Sequence, residues 1–361
     1  MAISESADSR IEVCDLHDAR WTSFVAMHPE AGPFHHPAWS EVLAAAYGYS
    51  PLLLAVTGPG ALQAGMPLLE VRSWLTGHRF ICLPFTDYCP PLATNQATLS
   101  HLVAGVAEWG TDSVQAPIEV HAELPAQMNV HVGGVGLRHT LVLEPDHQRL
   151  FGSFKPEIRK AIHKAETNRV EVHLGQSRAE LDIYYQMHCD TRHRQGVPVQ
   201  PRRFFAQLWE GLLSRDLGFT ALAYRAGKPI AGEVFFAWNR RMIAMYGASD
   251  PAHWEVRPNN LVMWKAMEWG SEHGYRLFDF GRTDLDQPGL REFKRRWGAT
   301  EMPLVYTTIE RSRPVAGASL SRALAPLIQH APAAVGRLVG ELLYRHFPEF
   351  SRVRRAPWRP D

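Results

Sequence analysis

Read for the period of its apolar positions, the chain alternates short strands with amphipathic helices. Residues 51–71, PLLLAVTGPGALQAGMPLLEV, are an apolar run broken by a Gly/Pro turn and predict a hairpin. Residues 219–238, FTALAYRAGKPIAGEVFFAW, repeat that design with a turn at 226–229. Each second strand carries an Ala-Gly pair, Ala64-Gly65 and Ala231-Gly232. Glycine inside a strand marks a bulge or the close approach of another group. Around the first hairpin the pattern predicts a helix over 37–47, a strand over 80–83, a helix over 99–109 and strands over 118–121 and 137–143. The second half predicts a helix over 156–168, opened by Pro156 where a missing N–H costs nothing. A strand over 170–174, helices over 178–194 and 202–214, a strand over 241–249 and a helix over 259–274 follow. A strand at 278–280 and a last one over 303–309 complete the set.

These elements predict an α/β (α+β) chain built from two copies of one unit with mixed central sheets. The polar run EPDHQR places the boundary near 144–152. The expected organisation is a first unit over 1–150, a second over 151–311 and a basic helical tail over 312–361. In the tail, Leu324, Leu327, Ile328, Val335, Leu338, Val339 and Leu342 fall on one helical face, and Arg352, Arg354, Arg355 and Arg359 follow. Two readings stand for it: a helix packed on the second unit, or an amphipathic segment on an anionic membrane surface.

Composition narrows the class. With 361 residues, 45% hydrophobic and 21% charged, the chain is long enough for two cores. A net charge of +1 excludes a bulk polyanion binder, so DNA is not an expected partner and any basic site is local. Cys14, Cys82, Cys89 and Cys189 are widely spread, which gives no zinc or disulfide framework and no metal is expected. No apolar run approaches the roughly 20 residues that span a bilayer. The expected location is cytoplasmic, with the tail offering peripheral contact with the inner membrane.

Several stretches carry a resemblance: FHHPAWSEVLAAAYGY, LPFTDYCPPL and RKAIHKAE in the first part, then YGASDP, NNLVMWKAMEWGSEHGY and FDFGR…GLREFKRRWGA. Together they resemble the FemAB (FemABX) family and its CelD-like relatives in the GNAT acyltransferase superfamily. The pattern looks most like FemAB-related proteins found with bacterial exopolysaccharide and exosortase systems. That resemblance implies two tandem GNAT-like units, a transferase that forms an amide bond, and a cell-envelope or peptidoglycan precursor as acceptor. It implies an aminoacyl-tRNA donor and no firmly bound cofactor. It also matches Lys294 to the family's Phe-Lys lysine, which holds the acceptor's anionic part. The sustained heptads of a tRNA-binding arm are absent from the sequence. An acyl-CoA donor with a sugar nucleotide or polysaccharide acceptor is the second reading, and a non-catalytic assembly scaffold the third. Against CoA stands the junction HWEVRPNNLVMW, where Asn259 and Asn260 occupy positions that pyrophosphate cradles leave to glycine.

An amine that attacks an ester or thioester must lose a proton, so a base is expected. Glu233 among Val234, Phe235 and Phe236, Tyr246 on the neighbouring strand, and Asp279 are the candidates. Asp279 has two further readings, orienting Arg282 and forming a structural ion pair. Arg282, Lys294 and Arg291 are the expected cationic wall for phosphate or carboxylate, since such groups leave water only where charge replaces hydration. For Arg282 the alternative is a pair with Asp284. Lys155 and Arg159, on the cationic face of the 156–168 helix, are a second phosphate-binding candidate, with a solvated helix face as the alternative.

Overall fold

A computed structural model describes residues 11–311 and 333–346. In chain order the first half runs β1 (Ile11–Cys14), α1 (Ala19–Met27), α2 (Pro37–Tyr47), β2 (Ser50–Gly58), β3 (Ala61–Ser73), β4 (Gly77–Ile81), β5 (Leu92–Ala93), α3 (Gln96–Glu108), β6 (Ile118–Val120) and β7 (Val130–Val142). Helices α4 (His147–Ser153) and α5 (Pro156–Thr167) connect it to the second half. There the order is β8 (Val170–Gly175), α6 (Arg178–Arg194), α7 (Arg202–Gly211), β9 (Gly218–Arg225), β10 (Lys228–Trp238), β11 (Arg241–Ser249), α8 (Pro258–Glu272), β12 (Leu277–Thr283), α9 (Pro288–Arg296) and β13 (Thr300–Ile309). Helix α10 (Ala333–Leu343) follows.

Local chemistry sets many of these boundaries. Pro37 opens α2 behind His36, whose Nδ1 accepts the Ala38 N–H, and left-handed Gly48 ends it. A Ser177/Glu180 capping box starts α6. Gly65 and Gly232 are sites of close approach. A Cβ at Gly65 would lie 2.6 Å from the Trp21 ring, and one at Gly232 would lie 2.8 Å from Leu222.

Strand pairing reveals the repeat. The sheet order is β1-β2-β3-β4-β6-β13-β7-β12-β11-β10-β9-β8, with β5 beside β3. Both halves spell strand, two helices, three antiparallel strands, a helix and a parallel strand. Among the described residues only β4/β6 and β11/β12 are parallel pairs, each joined by a crossover helix, α3 or α8. The final strand of each half pairs into the other: β13 lies against β6, and β7 against β12. The sheet is continuous across the boundary expected near residue 150. One core cluster spans both halves through α2 and α7, with Trp39, Tyr47, Phe204 and Phe236 in contact. A second lies under α5 and α8.

The sequence pattern missed β1 and α1, which are short, 4 and 9 residues. In the tail, the described part packs on the protein. Tyr344 is buried against Tyr47 and Phe85, and its hydroxyl accepts from Arg192 Nη2 at 2.8 Å. The segment thus touches both halves, beyond the expected docking on the second. Leu338 is exposed, while Leu324, Leu327, Ile328 and Arg352 to Arg359 lie outside the described residues. Among the described residues no helix is long and apolar enough to cross a membrane.

Candidate functional site

The second parallel pair comes apart almost as soon as it forms. β11 and β12 are in register only through Arg241–Ile243 and Leu277–Asp279. Beyond that level β11 bulges: Val234 faces Tyr246 and Phe235 faces Ala244, which leaves Met245 as the extra residue. At the same level β12 slips against β7, placing Phe280 and Gly281 opposite His139 alone. Gly281 takes φ +70°, a left-handed value that favours glycine. The strands diverge into a cleft of about 190 Å³. Its floor is apolar, formed by Ala244, Met245, Met263, Phe280 and Phe293, and Glu233, Tyr246 and Lys294 all border it.

Each of those three is held by a different element. Glu233 sits on β10 opposite Gly247, and its carboxyl lies over that glycine: a Cβ there would make ordinary contact, 3.6 Å from the Glu233 carboxyl carbon. Tyr246 belongs to the bulged stretch, and its backbone carbonyl accepts the Tyr184 hydroxyl at 2.8 Å. Lys294 comes from α9 and is 2% exposed. Its ammonium donates to the carbonyls of Gly281 (2.7 Å) and Arg282 (3.1 Å), the two peptides of the β12 bend. The bend is fixed from both sides. Asp279 Oδ1 accepts the Gly281 N–H at 2.8 Å, and Asp87 Oδ2, from the first half, accepts the Arg282 N–H at 2.9 Å.

The end of α6 supplies the remaining polar wall. His188 is buried between Gln200 Oε1 (2.7 Å from Nε2) and the Tyr184 hydroxyl (3.1 Å from Nδ1). Burial holds its pKa down at about 3, so the ring is neutral. Arg194 donates to the Ser249 carbonyl at 3.1 Å and lies over the Trp254 ring.

Glu233, Tyr246 and Lys294 are therefore brought together, and the other candidates are not. Asp279 faces away from the cleft, toward a small cavity beside Tyr88 and Arg241. Its Oδ2 accepts Arg138 Nε at 2.7 Å, so of the three readings of Asp279 the structural ion pair fits, with Arg138 as the partner, and the base and the partner of Arg282 do not. Arg282 does not line the cleft either: it pairs with Asp284 at 2.8 Å and stacks over Tyr306 toward the first half. Arg291 is held by both carboxylate oxygens of Glu301 on the surface. The expected wall of Arg282, Arg291 and Lys294 reduces to Lys294, because the two guanidinium groups have carboxylate partners of their own. Lys155 and Arg159, on α5, border none of these cavities.

Two contributors escaped the sequence reading. Asp87 sits in LPFTDYCPPL, where a lone charge among apolar residues was the available signal. His188 looked like an ordinary position of a polar helix. At the start of α8, Arg257 takes φ +59° and Asn260 is buried, so side chains and not bare peptides occupy that turn. Among the described residues no group of three or more His, Cys, Asp or Glu could hold a metal. A larger concavity of about 890 Å³ lies in the first half between α1, the β2–β3 turn and α3, and none of the cleft residues borders it. The chemistry favours the smaller cleft.

Comparison with known proteins follows this geometry. Residues 152–295 match the acetyltransferase (GNAT) domain family. A UDP-N-acetylmuramoylpentapeptide-lysine N(6)-alanyltransferase of Weissella viridescens is 22% identical over 179 residues, 47% of this chain and 53% of the relative. The chain thus spans about half the length of that curated relative. The crystal structure of FemX superposes with a TM-score of 0.67 at 14% identity, covering 88% of this chain and 100% of the other. A tandem GNAT protein from the clavulanic acid biosynthesis pathway superposes at 0.52 with 13% identity, covering 85% of this chain and 100% of its own. The duplicated sheet is accordingly a tandem GNAT fold, residues 152–295 of which match the GNAT acetyltransferase domain, and the chain is similar to the alanyltransferase and, in fold, to FemX.

Proposed function

We propose that the chain is an acyltransferase that moves an aminoacyl group to an amine of a cell-envelope precursor, peptidoglycan-like in its chemistry. The observation that carries this reading is the cleft between β11 and β12, where Glu233 and the buried Lys294 border one apolar slot. The donor's acyl group lies in that slot. The acceptor amine attacks its carbonyl carbon, a C–N bond forms, and the ester C–O bond to the carrier breaks with the electron pair leaving on oxygen. Glu233 takes the amine proton, directly or through a water, and a water protonates the departing oxygen. Lys294, fixed by two carbonyls, supplies positive charge to the wall where the tetrahedral oxyanion or the acceptor's phosphate sits. No covalent enzyme intermediate is required, so rate comes from positioning and charge.

The alanyltransferase relative and the FemX-like fold support an aminoacyl donor and an envelope acceptor. The GNAT acetyltransferase match supports a second reading, an acyl-CoA donor with a sugar-linked acceptor, in which a C–S bond breaks instead. Against it, Asn259 and Asn260 crowd the turn where a pyrophosphate meets bare peptides. Purified chain offered labelled aminoacyl-tRNA or labelled acetyl-CoA, each with UDP-N-acetylmuramoyl pentapeptide and with crude envelope precursors, separates the readings. Label moving from tRNA to precursor is the expected result; label moving only from CoA selects the second, and transfer from neither overturns both.

A further inference from the structure

The segment beyond β13 reaches back to the wall of the cleft. Helix α10 lies across residues 197–200, all buried, which link α6 to α7. The Val199 N–H donates to the Gly336 carbonyl at 3.4 Å, and a Cβ at Gly340 would run into the Val199 carbonyl, so helix and link meet backbone to backbone. Glu341 Oε1 accepts the Arg202 N–H at 2.8 Å and so satisfies a donor at the start of α7. Just past the helix, the fully buried Tyr344 holds Arg192, a residue of the last turn of α6 that borders the cleft.

Arg192 is 9% exposed. Its Nε donates to the Pro198 carbonyl at 3.2 Å and its Nη2 to the Tyr344 hydroxyl at 2.8 Å. Among the described residues no carboxylate lies within ion-pair distance of it, whereas Arg138, Arg282 and Arg291 each have one. Only partial charges offset its cation: those two oxygens and the C-terminal end of α6. Burying a charge without a counter-ion is costly, and an anion that joins it removes much of the cost. A second group beside it is unsatisfied. The Tyr47 hydroxyl is buried with no hydrogen-bond partner among the described residues, and its ring stacks on Tyr344 at 6.2 Å. Burial pushes that hydroxyl's pKa well above its usual range, with Tyr344 and Tyr246 adding and Arg192 opposing, so it lies in the field of the same guanidinium.

We propose that Arg192 binds an anionic group of the substrate, a carboxylate or a phosphate, at the wall of the cleft, and that Tyr344 is the positioning residue that aims it. The inference rests on the β11/β12 cleft being the substrate site, and it adds to that site a segment outside the two repeated halves. Arginine suits the task because its planar fork grips such groups through two parallel N–H bonds. With Nε and one Nη2 hydrogen engaged, Nη1 and the second Nη2 hydrogen form the free end of the fork.

Equilibrium binding of UDP-N-acetylmuramoyl pentapeptide to the full chain, at fixed ionic strength, tests both statements. Arg192→Gln should weaken binding by about tenfold or more, the loss expected for hydrogen bonds to a charged group, while keeping Tm. Tyr344→Phe keeps the ring in the core and removes only the hydroxyl. It should weaken binding by about threefold and, in transfer assays, raise KM with kcat unchanged. The double variant should bind no more weakly than Arg192→Gln alone, because Tyr344 acts through Arg192. Competition by inorganic pyrophosphate traces the anion to a phosphate, and competition by the free pentapeptide traces it to a carboxylate; Arg192→Gln should blunt either. Wild-type affinity in Arg192→Gln, or a wild-type chain that binds no precursor, would overturn the proposal. A Tyr344→Phe loss that adds in full to that of Arg192→Gln would overturn the positioning role. Failure of the transfer reading looks different: label would move from neither donor although precursor binding still depended on Arg192.

Discussion

The two parallel strand pairs are the same device put to different uses. In the first half, β4 meets β6 through Phe80 and Ile81 and then gives way to residues 82–91. That loop turns back on itself with Leu83 and Phe85 both at φ +59°. Cys82, Leu83, Phe85, Thr86 and Cys89 are all buried, and Thr86 accepts the indole N–H of Trp39 at 2.7 Å. The chain itself occupies the space where the pair would open. In the second half, β11 continues as a strand on β10, and the space stays open as the cleft. The first half also contributes outward. Asp87, from the loop that fills its own opening, accepts the Arg282 N–H and so shapes the β12 bend that Lys294 caps. On the function proposed above, one half serves as support and the other as site.

The largest break in that comparison should come from Glu233→Gln, which keeps shape and removes the base. Transfer is expected to fall by about 10²–10⁴-fold with folding unchanged. Equal activity would move the base elsewhere. Lys294→Ala removes the donor to two bend carbonyls and the charge in the cleft; about 1.5–3 kcal/mol should be lost from acceptor binding, the range for hydrogen bonds to charged groups. Titration calorimetry with the acceptor checks this, and unchanged affinity would take Lys294 out of the site. Asp87→Ala leaves the Arg282 N–H without its acceptor and should cost about 1–3 kcal/mol of stability by urea midpoint, while Asp87→Asn, which keeps an acceptor oxygen, restores most of it. If Ala and Asn variants behave alike, the link between the halves does not run through that bond.

Acid offers a subtler probe of both halves. His35 and His121 in the first half are held down to about 4 by burial, and His188 beside the cleft to about 3. Unfolded, each titrates near 6.5, so between these values the unfolded chain binds more protons. Stability is therefore complete above about pH 6.5 and falls as pH drops toward 4, by about 1.4 kcal/mol per pH unit for each histidine. Urea midpoints measured across that window check the slope; a flat profile would contradict the buried neutral rings. The smallest effect belongs to Arg291→Ala. Its guanidinium is solvated and paired with Glu301, so transfer should not change measurably.

Period carried most of the fold. The hairpins, the 178–194 helix and the 241–249 strand follow from alternating or helical apolar spacing, which local sterics impose and a single sequence displays. The exchange of β7 and β13 did not show, because it is a pairing choice between distant segments with no local signature. Within the site, Glu233 stood out as a charge inside a strongly apolar strand, and that signal survives folding. Asp279 and Arg282 carried an equally clear signal and led elsewhere, since alternation says that neighbours on a strand face opposite ways but not which face holds the cleft. Lys294 lay on the basic side of α9 with Arg291 and Arg295, and only the β12 bend, created by Gly281, distinguishes it from them.

The account rests on the acyl group sitting between the splayed strands β11 and β12. Co-crystallisation with a hydrolysis-resistant donor, either an amide-linked aminoacyl minihelix or a non-transferable acyl-CoA analogue, reports its position directly. Density for the acyl carbonyl within hydrogen-bonding reach of the wall formed by Glu233, Tyr246 and Lys294 is the predicted result. Density in the first-half groove beside α1, with the β11/β12 cleft closed to it, would contradict the account.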